Sequence, residues 1–316
     1  MRAGAILHPS LPPAHRAWDP GPEPPPETLW FHPCPTDPQC RYCNRDQGDE
    51  EPGFDWSFVD AVYCISLRSR RDRFDVAVEQ FHRLGLCRHV TFLRPVKGPR
   101  GGVVRAIWEA HRACLSHARG RGAATALVLE DDVVFLPWMR PHHLERAAAA
   151  MRDLPRDWRG FYLGHLPLRS YFVRPRVVRT VSASLHAYVA SPRLMDWLIA
   201  TDWEQPGWGR ALFGYGLDAA YAALPGMYAF FPMLAVQSLS PSDHTGTHKP
   251  KRLAGLELQP LIESFGVRGG RLMQYLHALL TPMWWLFAAI VPRFGCGWVR
   301  RGPPEILPPT GGSTPR

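Results

Sequence analysis

The sequence predicts an α/β fold in which a mostly parallel central sheet is flanked by helices. Short runs of β-branched and aliphatic residues alternate with segments of helical periodicity, which is typical of βαβ units. One run, residues 123–129, is almost entirely apolar, as expected of a strand buried on both faces. Three acidic residues follow this run directly. The 316 residues allow one large domain or two small ones.

The predicted elements begin near Asp60 with a strand over residues 61–67. The helix after it ends near Leu84 and has Ser69 as a predicted N-cap, with Asp72 three residues later in a box-like arrangement. The later predictions are a strand over 89–94, a helix over 103–119, the strand that ends at 129, a helix over 141–151, strands over 160–164 and 186–190, a helix over 192–200, a helix that residues 215–218 open and that runs to about residue 224, strands over 227–231 and 235–239, and a polar loop over 240–246.

Both ends of the chain differ in composition from its middle. The 33 prolines are concentrated there, and residues 1–55 are rich in proline and acidic residues. This composition predicts a disordered N-terminal tail, a folded domain over residues 56–250 and a C-terminal tail over residues 251–316.

Four soft metal ligands lie close together in the predicted N-terminal tail: His32, Cys34, Cys40 and Cys43. They could hold a small zinc knuckle. Their spacing matches no strong zinc pattern, so unpaired cysteines in a loose tail are the alternative interpretation.

Composition also bounds the location and the partners of the chain. The net charge of +9 favours anionic partners, whereas the absence of an RNA-binding aromatic signature and of a helix-turn-helix pattern argues against nucleic acid. The N-terminus has no long apolar region, so no signal peptide is predicted. The odd number of cysteines, seven, fits a reduced chain in the cytoplasm or on the cytosolic face of a membrane.

Residues 275–291 form a strongly apolar segment with paired tryptophans. Arg271 precedes it and Arg293 follows it. Because the segment is short and contains Pro282, the pattern favours peripheral membrane contact by an interfacial helix over a spanning one. A C-terminal helix packed on the body of the protein is the alternative.

The acidic triplet Glu130, Asp131 and Asp132 stands where a buried strand ends. Three carboxylates at such a place are costly unless a cation compensates them, and hard divalent cations prefer oxygen ligands. Open α/β sheets bind ligands outside the carboxyl ends of their strands. The triplet therefore predicts a metal and a charged ligand, such as a nucleotide diphosphate.

Three motifs in this order resemble glycosyltransferase family 25, which includes lipooligosaccharide and procollagen galactosyltransferases. They are the strand and basic helix start at 62–73, Cys-Leu-Ser-His at 114–117, and Leu-Val-Leu-Glu-Asp-Asp-Val at 127–133. Looser matches are Gly-Leu-Asp at 216–218 and the segment from Gln237 to His244. The resemblance covers residues 60–245, although Cys64 replaces the family's asparagine and Ala113 its glycine.

The resemblance implies a GT-A-type, nucleotide-sugar-binding fold and a metal-dependent hexosyltransferase, with UDP-galactose or UDP-glucose as donor. Mn²⁺ or Mg²⁺ would bridge the diphosphate, with Asp132 as the first candidate ligand and Asp131 assisting. Asp243 or His244 could complete the metal shell. Alternatively, Ser242 and Asp243 could only form a turn. Glu130 could hydrogen-bond the ribose or orient the site.

The remaining candidates would contact the donor. Ser66 and Arg70 lie at the end of the first strand and the start of its helix, where backbone N–H groups can hold phosphate. Arg73 shares a helix face with Arg70, although a solvated basic helix start is the alternative. Ser116 and His117 could contact the sugar or the diphosphate, or His117 could be a packed, hydrogen-bonded histidine.

Asp218 is the candidate general base of an inverting transfer, because a carboxylate must accept the proton of the acceptor hydroxyl. A helix N-cap is its alternative role. His165 and His186 could line the acceptor cleft, but core positions are favoured for both. The expected acceptor is a glycan, a lipid-linked sugar or a protein hydroxyl. The rival functions are a catalytically inactive binding module and a metal-dependent phosphohydrolase.

Overall fold

The computed structural model describes residues 24–25, 29–43, 53–97, 102–203, 216–238, 252–253, 256–257, 275, 277–283 and 286. The predicted loop over 240–246, and with it Asp243 and His244, lies outside the described residues.

A central sheet of seven strands organises the described part of the chain. The strands in this part are β1 (Phe31–Pro33), β2 (Ala61–Ile65), β3 (Val90–Leu93), β4 (Ala126–Glu130), β5 (Val133–Phe135), β6 (Gly160–Arg174), β7 (Val177–Ala190), β8 (Met227–Phe230), β9 (Ala235–Gln237), β10 (Arg252–Leu253) and β11 (Leu256–Glu257). The order in the central sheet is β1-β3-β2-β4-β7-β6-β8. Strand β2 is parallel to β3 and β4, whereas β7 is antiparallel to β4 and β6. The predicted α/β class is confirmed, with a sheet of mixed direction.

Helices pack against both faces of this sheet. They are α1 (Arg71–Arg83), α2 (Val103–Gly120), α3 (Pro141–Arg152), α4 (Pro192–Ala200) and α5 (Leu217–Ala223), with a short 3₁₀ turn at Leu86–Arg88. Leu127 and Leu129 of β4 pack in the same cluster as α1 and α3, whereas Val128 packs in the cluster of α2, α4 and α5. Since successive strand residues point to opposite faces, both faces of β4 are buried, which explains its apolar run.

The hairpin of β6 and β7 is much longer than predicted. Its strands have 15 and 14 residues, where the sequence indicated two short apolar runs. Polar residues interrupt the apolar pattern, but their hydroxyls hydrogen-bond one another within the sheet. Thr180 Oγ1 lies 2.8 Å from Ser170 Oγ and 2.7 Å from Ser182 Oγ. Backbone pairing and these hydroxyl contacts therefore extend the strands beyond the apolar runs.

The prediction of a disordered tail over residues 1–55 is wrong for residues 29–43. Strand β1 extends the sheet by pairing antiparallel with β3, and the Cys34 N–H donates to the Val90 carbonyl at 3.1 Å. Cys34, Cys40 and Tyr42 are buried in the main core. The proline-rich composition of the surrounding sequence obscured this short strand, which has no alternation long enough to detect.

A helical stretch at residues 277–283 packs on the body through one face. His277 and Thr281 are buried, and the Met233 N–H donates to His277 Nδ1 at 3.3 Å. The opposite face is exposed and apolar at Leu279 and Met283. Within the described residues, no helix has both the length and the apolar character needed to cross a membrane.

Candidate functional site

A cavity of about 360 Å³ opens at the carboxyl ends of β2 and β4. Its polar lining comes from the end of β4, the start of α1, the segment after β3, the start of α5 and the end of β9. The polar and charged residues in its lining are Arg70, Arg73, Lys97, Glu130, Asp131, Asp132, Asp218 and Gln237. Apolar residues from the β2 and β3 exits, and from the first turns of α2, form the remaining wall.

Strand pairing explains why distant candidates meet here. Ile65 of β2 pairs with Glu130 of β4 in parallel register, so the two strands end at the same level. The Asp131 N–H continues this pairing by donating to the Ile65 carbonyl at 3.1 Å. The helix that follows β2 then presents Arg70 and Arg73 to the acidic triplet, since residues three apart share a helix face.

The start of α1 differs from its prediction. The N-cap is Arg70, without a side-chain capping hydrogen bond, so the prediction of Ser69 as the cap is wrong. Asp72 accepts two hydrogen bonds from the Arg70 guanidinium, at 2.9 and 2.7 Å, instead of taking part in a capping box.

Arg73 contacts two of the acidic side chains. Its Nη1 donates to Asp131 Oδ1 at 3.3 Å and to Asp132 Oδ2 at 3.2 Å. Gln237 Nε2 also donates to Asp132 Oδ2, at 3.2 Å. The other oxygen, Asp132 Oδ1, is buried and accepts no hydrogen bond from any described residue. A buried carboxylate oxygen in this state, in the wall of a cavity, is suited to bind a cation.

The electrostatics of the triplet favour a positive ligand. Burial raises the pKa of Asp132 to about 7, and the charge of Glu130 adds to this effect. Burial likewise raises the pKa of Glu130 to about 7 and that of Asp131 to about 6. Arg73 opposes each of these shifts without cancelling them. A divalent cation would remove the remaining cost of three clustered carboxylates, so these residues fit the metal that the sequence predicted.

A buried polar chain supports Glu130 from behind, and sequence reasoning missed it. His111 Nε2 lies 3.4 Å from Glu130 Oε1, and its Nδ1 lies 3.0 Å from the Tyr188 hydroxyl. That hydroxyl is 3.3 Å from the hydroxyl of Tyr221. Burial lowers the pKa of His111 to about 4, so the imidazole is neutral near pH 7. The available signal was a histidine within the apolar stripe of α2.

Gln237 links the triplet to a second polar chain. Its Oε1 accepts from the Ser184 hydroxyl at 2.7 Å, and this hydroxyl lies 2.8 Å from His186 Nδ1. The Ser238 N–H donates to the Asp132 carbonyl at 2.8 Å. His186 is therefore a buried, hydrogen-bonded histidine behind the site, as the favoured sequence interpretation stated. His165 is equally buried, and neither histidine is in the cavity lining.

Asp218 reaches the cavity because of the backbone at Gly216. Gly216 is the N-cap of α5 and has φ 119°, a conformation that side chains disfavour. A Cβ at this position would lie 2.6 Å from Val104 Cγ1 of α2, so the close approach of the two helices also requires glycine. Asp218 is the second residue of the helix, so the N-cap interpretation is wrong. Its exposed side chain is in the cavity lining.

Three other candidates lie outside the lining. Ser66 is fully buried directly after β2. Ser116 is exposed on α2. His117 Nδ1 hydrogen-bonds with the Tyr63 hydroxyl at 2.7 Å, and its ring stacks on Phe31 at 4.5 Å. This placement matches the packed interpretation of His117.

Comparisons with known proteins identify no family. No family model matches the sequence, and no curated protein matches it. Among solved structures, the chain is similar to A197 from STIV, with TM-score 0.34 and 11% identity over 55% of this chain and 82% of that one. A glycosyltransferase involved in the glycosylation of the major capsid of PBCV-1 gives TM-score 0.36 and 14% identity over 58% and 94% of the two chains. A UDP-glucose pyrophosphorylase complexed with UDP-glucose gives 0.33 and 13% over 54% and 72%.

Proposed function

We propose that the protein is a metal-dependent glycosyltransferase that moves a hexose, galactose or glucose, from a UDP-sugar to a hydroxyl acceptor. The observation that carries this proposal is the cavity in which the three carboxylates at the end of β4 meet two arginines and Asp218. The resemblance of residues 60–245 to glycosyltransferase family 25 motivates the choice of reaction. The acceptor is expected to be a glycan, a lipid-linked sugar or a protein.

Asp132 and Asp131 would hold Mn²⁺ or Mg²⁺, with Asp243 as a further proposed ligand. The buried oxygen Asp132 Oδ1 and the raised pKa values of both side chains support these two assignments. The ion would supply positive charge to the diphosphate leaving group. Glu130, held by His111, would orient the site or bind the ribose.

Arg70 and Arg73 would bind the donor's phosphate oxygens, because guanidinium groups form charge-assisted hydrogen bonds with phosphate. The apolar side of the cavity suits the base and the sugar ring. It is formed by residues that follow β2 and β3 and by the first turns of α2: Leu67, Pro95, Val96, Val103, Val104 and Ile107. Ser66 and His117 would act indirectly, by supporting these elements.

Asp218 would act as the general base of an inverting transfer. Its carboxylate would take the proton from the acceptor hydroxyl as the oxygen attacks the anomeric carbon. The bond between that carbon and the phosphate oxygen breaks, and the electron pair leaves with UDP. The exposure of Asp218 at the cavity fits this role, because an acceptor must reach it from solvent.

The decisive experiment measures UDP release from UDP-galactose and UDP-glucose with and without Mn²⁺. We expect metal-dependent release that Asp132→Asn abolishes and that the exposed control Asp153→Asn preserves. Asp218→Asn should keep nucleotide binding but lose turnover. Nucleotide binding without any turnover would instead identify an inactive binding module. Phosphate release from phosphoesters, independent of a sugar acceptor, would identify a phosphohydrolase.

Peripheral membrane contact is proposed for the C-terminal helix. Tyr275, Leu279, Met283 and Leu286 are exposed to 72, 59, 56 and 54%, and this spacing places them on one side of a helix. Arginines flank the segment in the sequence, which favours an anionic lipid surface as the partner. The protein should sediment together with vesicles that contain phosphatidylserine, whereas the double variant Leu279→Asp, Met283→Asp should remain in the supernatant. Equal sedimentation of both proteins would contradict the proposal.

A further inference from the structure

Four potential metal ligands meet at the end of the molecule where α1 finishes. Cys40 and Cys43 come from the segment after β1, His82 from the last turn of α1, and Cys87 from the 3₁₀ turn that follows it. Their ligand atoms all lie within 4.8 Å of one another. Cys43 Sγ is 3.6 Å from Cys87 Sγ and 3.4 Å from His82 Nδ1, and Cys40 Sγ is 3.9 Å from Cys87 Sγ.

The three shorter separations are close to those of a tetrahedral zinc site. With Zn–S bonds of about 2.3 Å and Zn–N bonds of about 2.1 Å, a tetrahedron places two sulfurs about 3.8 Å apart and sulfur about 3.6 Å from nitrogen. A disulfide would require a sulfur separation of about 2.05 Å and would use only two of the three thiols. Cys40, Cys43 and Cys87 are thiols that are not joined in a disulfide.

Local structure brings the four ligands together. The Cys43 N–H donates to the Cys40 carbonyl at 3.1 Å, which forms the tight turn of a Cys-x-x-Cys pair. Gly85 has φ 70° and carries the chain from α1 into the 3₁₀ turn. The Tyr42 ring packs on this glycine. A Cβ added to Gly85 would lie 3.1 Å from the ring carbons of Tyr42. The turn and this packing hold the two halves of the cluster together.

We propose that Cys40, Cys43, His82 and Cys87 bind one structural Zn²⁺ ion. Four protein ligands from two segments close the coordination shell, which is typical of structural zinc sites. The ion would fasten the segment that carries β1 to the far end of α1. His82 is nine residues from Arg73, about 14 Å along the helix, so this site is separate from the acidic cavity.

The structure changes the ligand set that the sequence indicated. His32 does not join the cluster, because its ring stacks on Phe92 at 5.5 Å. Cys34 is buried nearby but is not among the four ligands. His82 and Cys87 replace them, and both are about 40 residues away in the sequence. This distance explains why the spacing of the N-terminal ligands alone matched no zinc pattern.

The test is the metal content of the intact, purified chain. We expect about one zinc ion per chain by elemental analysis, as a four-ligand site binds one ion. Cobalt exchanged into the protein should give the visible absorption of a tetrahedral, thiolate-bound ion. The double variant Cys40→Ser, Cys43→Ser should lose both signals, whereas Cys34→Ala should keep them. Asp132→Asn should also keep zinc, which separates this site from the proposed catalytic one.

If the double variant fails to fold, the wild-type metal content and cobalt spectrum decide the question alone. A wild-type chain without zinc, which also gives no tetrahedral cobalt spectrum, would overturn the proposal. Zinc that remains at full occupancy in a folded double variant would overturn it as well.

Discussion

Asp132→Asn should raise the stability of the metal-free protein and abolish its stabilisation by Mn²⁺ and UDP. Without metal, the variant should be more stable than the wild type above pH 7. With Mn²⁺ and UDP, it should lose the stabilisation that the wild type gains. Both effects have one cause, because the side chain that is costly to ionise in the folded protein is the one proposed to bind the cation.

The magnitude follows from the pKa of Asp132. Burial raises it from 3.8 to about 7, a difference that corresponds to about 4 kcal/mol of unfolding free energy when both states are ionised. Asparagine avoids this cost, but its amide NH₂ group takes the place of a carboxylate oxygen that accepts hydrogen bonds. The variant therefore loses a hydrogen bond from Arg73 or Gln237, which is worth about 2 kcal/mol. The net gain is about 2 kcal/mol, and the melting temperature should rise by about 4–8 °C.

The stability difference between Asp132→Asn and the wild type should depend on pH in one direction. Below about pH 4 the carboxyl group is protonated in both states and destabilises neither, so the gain from asparagine is absent there. The wild type loses stability as the pH rises through the folded pKa near 7, so the gain grows across this interval and then levels off. Thermal melts of both proteins in metal-free buffer from pH 4 to pH 8 measure it, with Asp153→Asn as the exposed control.

The second half of the assay adds Mn²⁺ and UDP. A ligand at one hundred times its Kd stabilises the wild type by about 2.7 kcal/mol, and the variant should gain almost none of this. A variant that is less stable at every pH would contradict the argument from burial. A variant that keeps the full ligand effect would contradict the assignment of Asp132 as a metal ligand.

Three further substitutions test the surroundings of the site. Arg73→Leu should destabilise the protein by about 3 kcal/mol at pH 8, because it leaves Asp131 and Asp132 without their cation. The loss should be smaller at pH 5, where these carboxylates become protonated. Thermal melts at both pH values measure it, with the exposed Arg71→Leu as the control. Gly216→Ala should cost about 1–3 kcal/mol and raise KM for the acceptor, because it strains the backbone at φ 119°. His111→Phe should keep the fold, as judged by circular dichroism, but weaken nucleotide-dependent stabilisation; an unchanged Kd for UDP would exclude a positioning role.

The acidic end of β4 was predictable because its signal is local. An apolar run followed by carboxylates specifies both the burial of the strand and the chemistry at its exit. The placement of Arg70 and Arg73 in the same cavity also followed from local spacing, since a helix begins directly after the neighbouring strand. The roles assigned to these residues stay predictions until the metal and the donor are tested.

The supporting residues were not predictable, because tertiary pairing brings them in. Gln237 reaches Asp132 only because β9 pairs with β5, opposite Val133. The long β6–β7 hairpin uses buried hydroxyls, so its pattern differs from the alternation of an apolar strand. His82 and Cys87 meet Cys40 and Cys43 through the packing of the N-terminal segment, which no sequence spacing encodes.

Strand β1 has a practical consequence for any shortened form of this protein. It covers the outer edge of β3, whose backbone groups would otherwise be open to pairing with another chain. The composition of residues 1–55 invites their removal, but a chain that starts at residue 56 would expose this edge together with the apolar surface beneath Tyr42. We expect such a chain to self-associate, whereas one that starts at residue 24 should stay monodisperse.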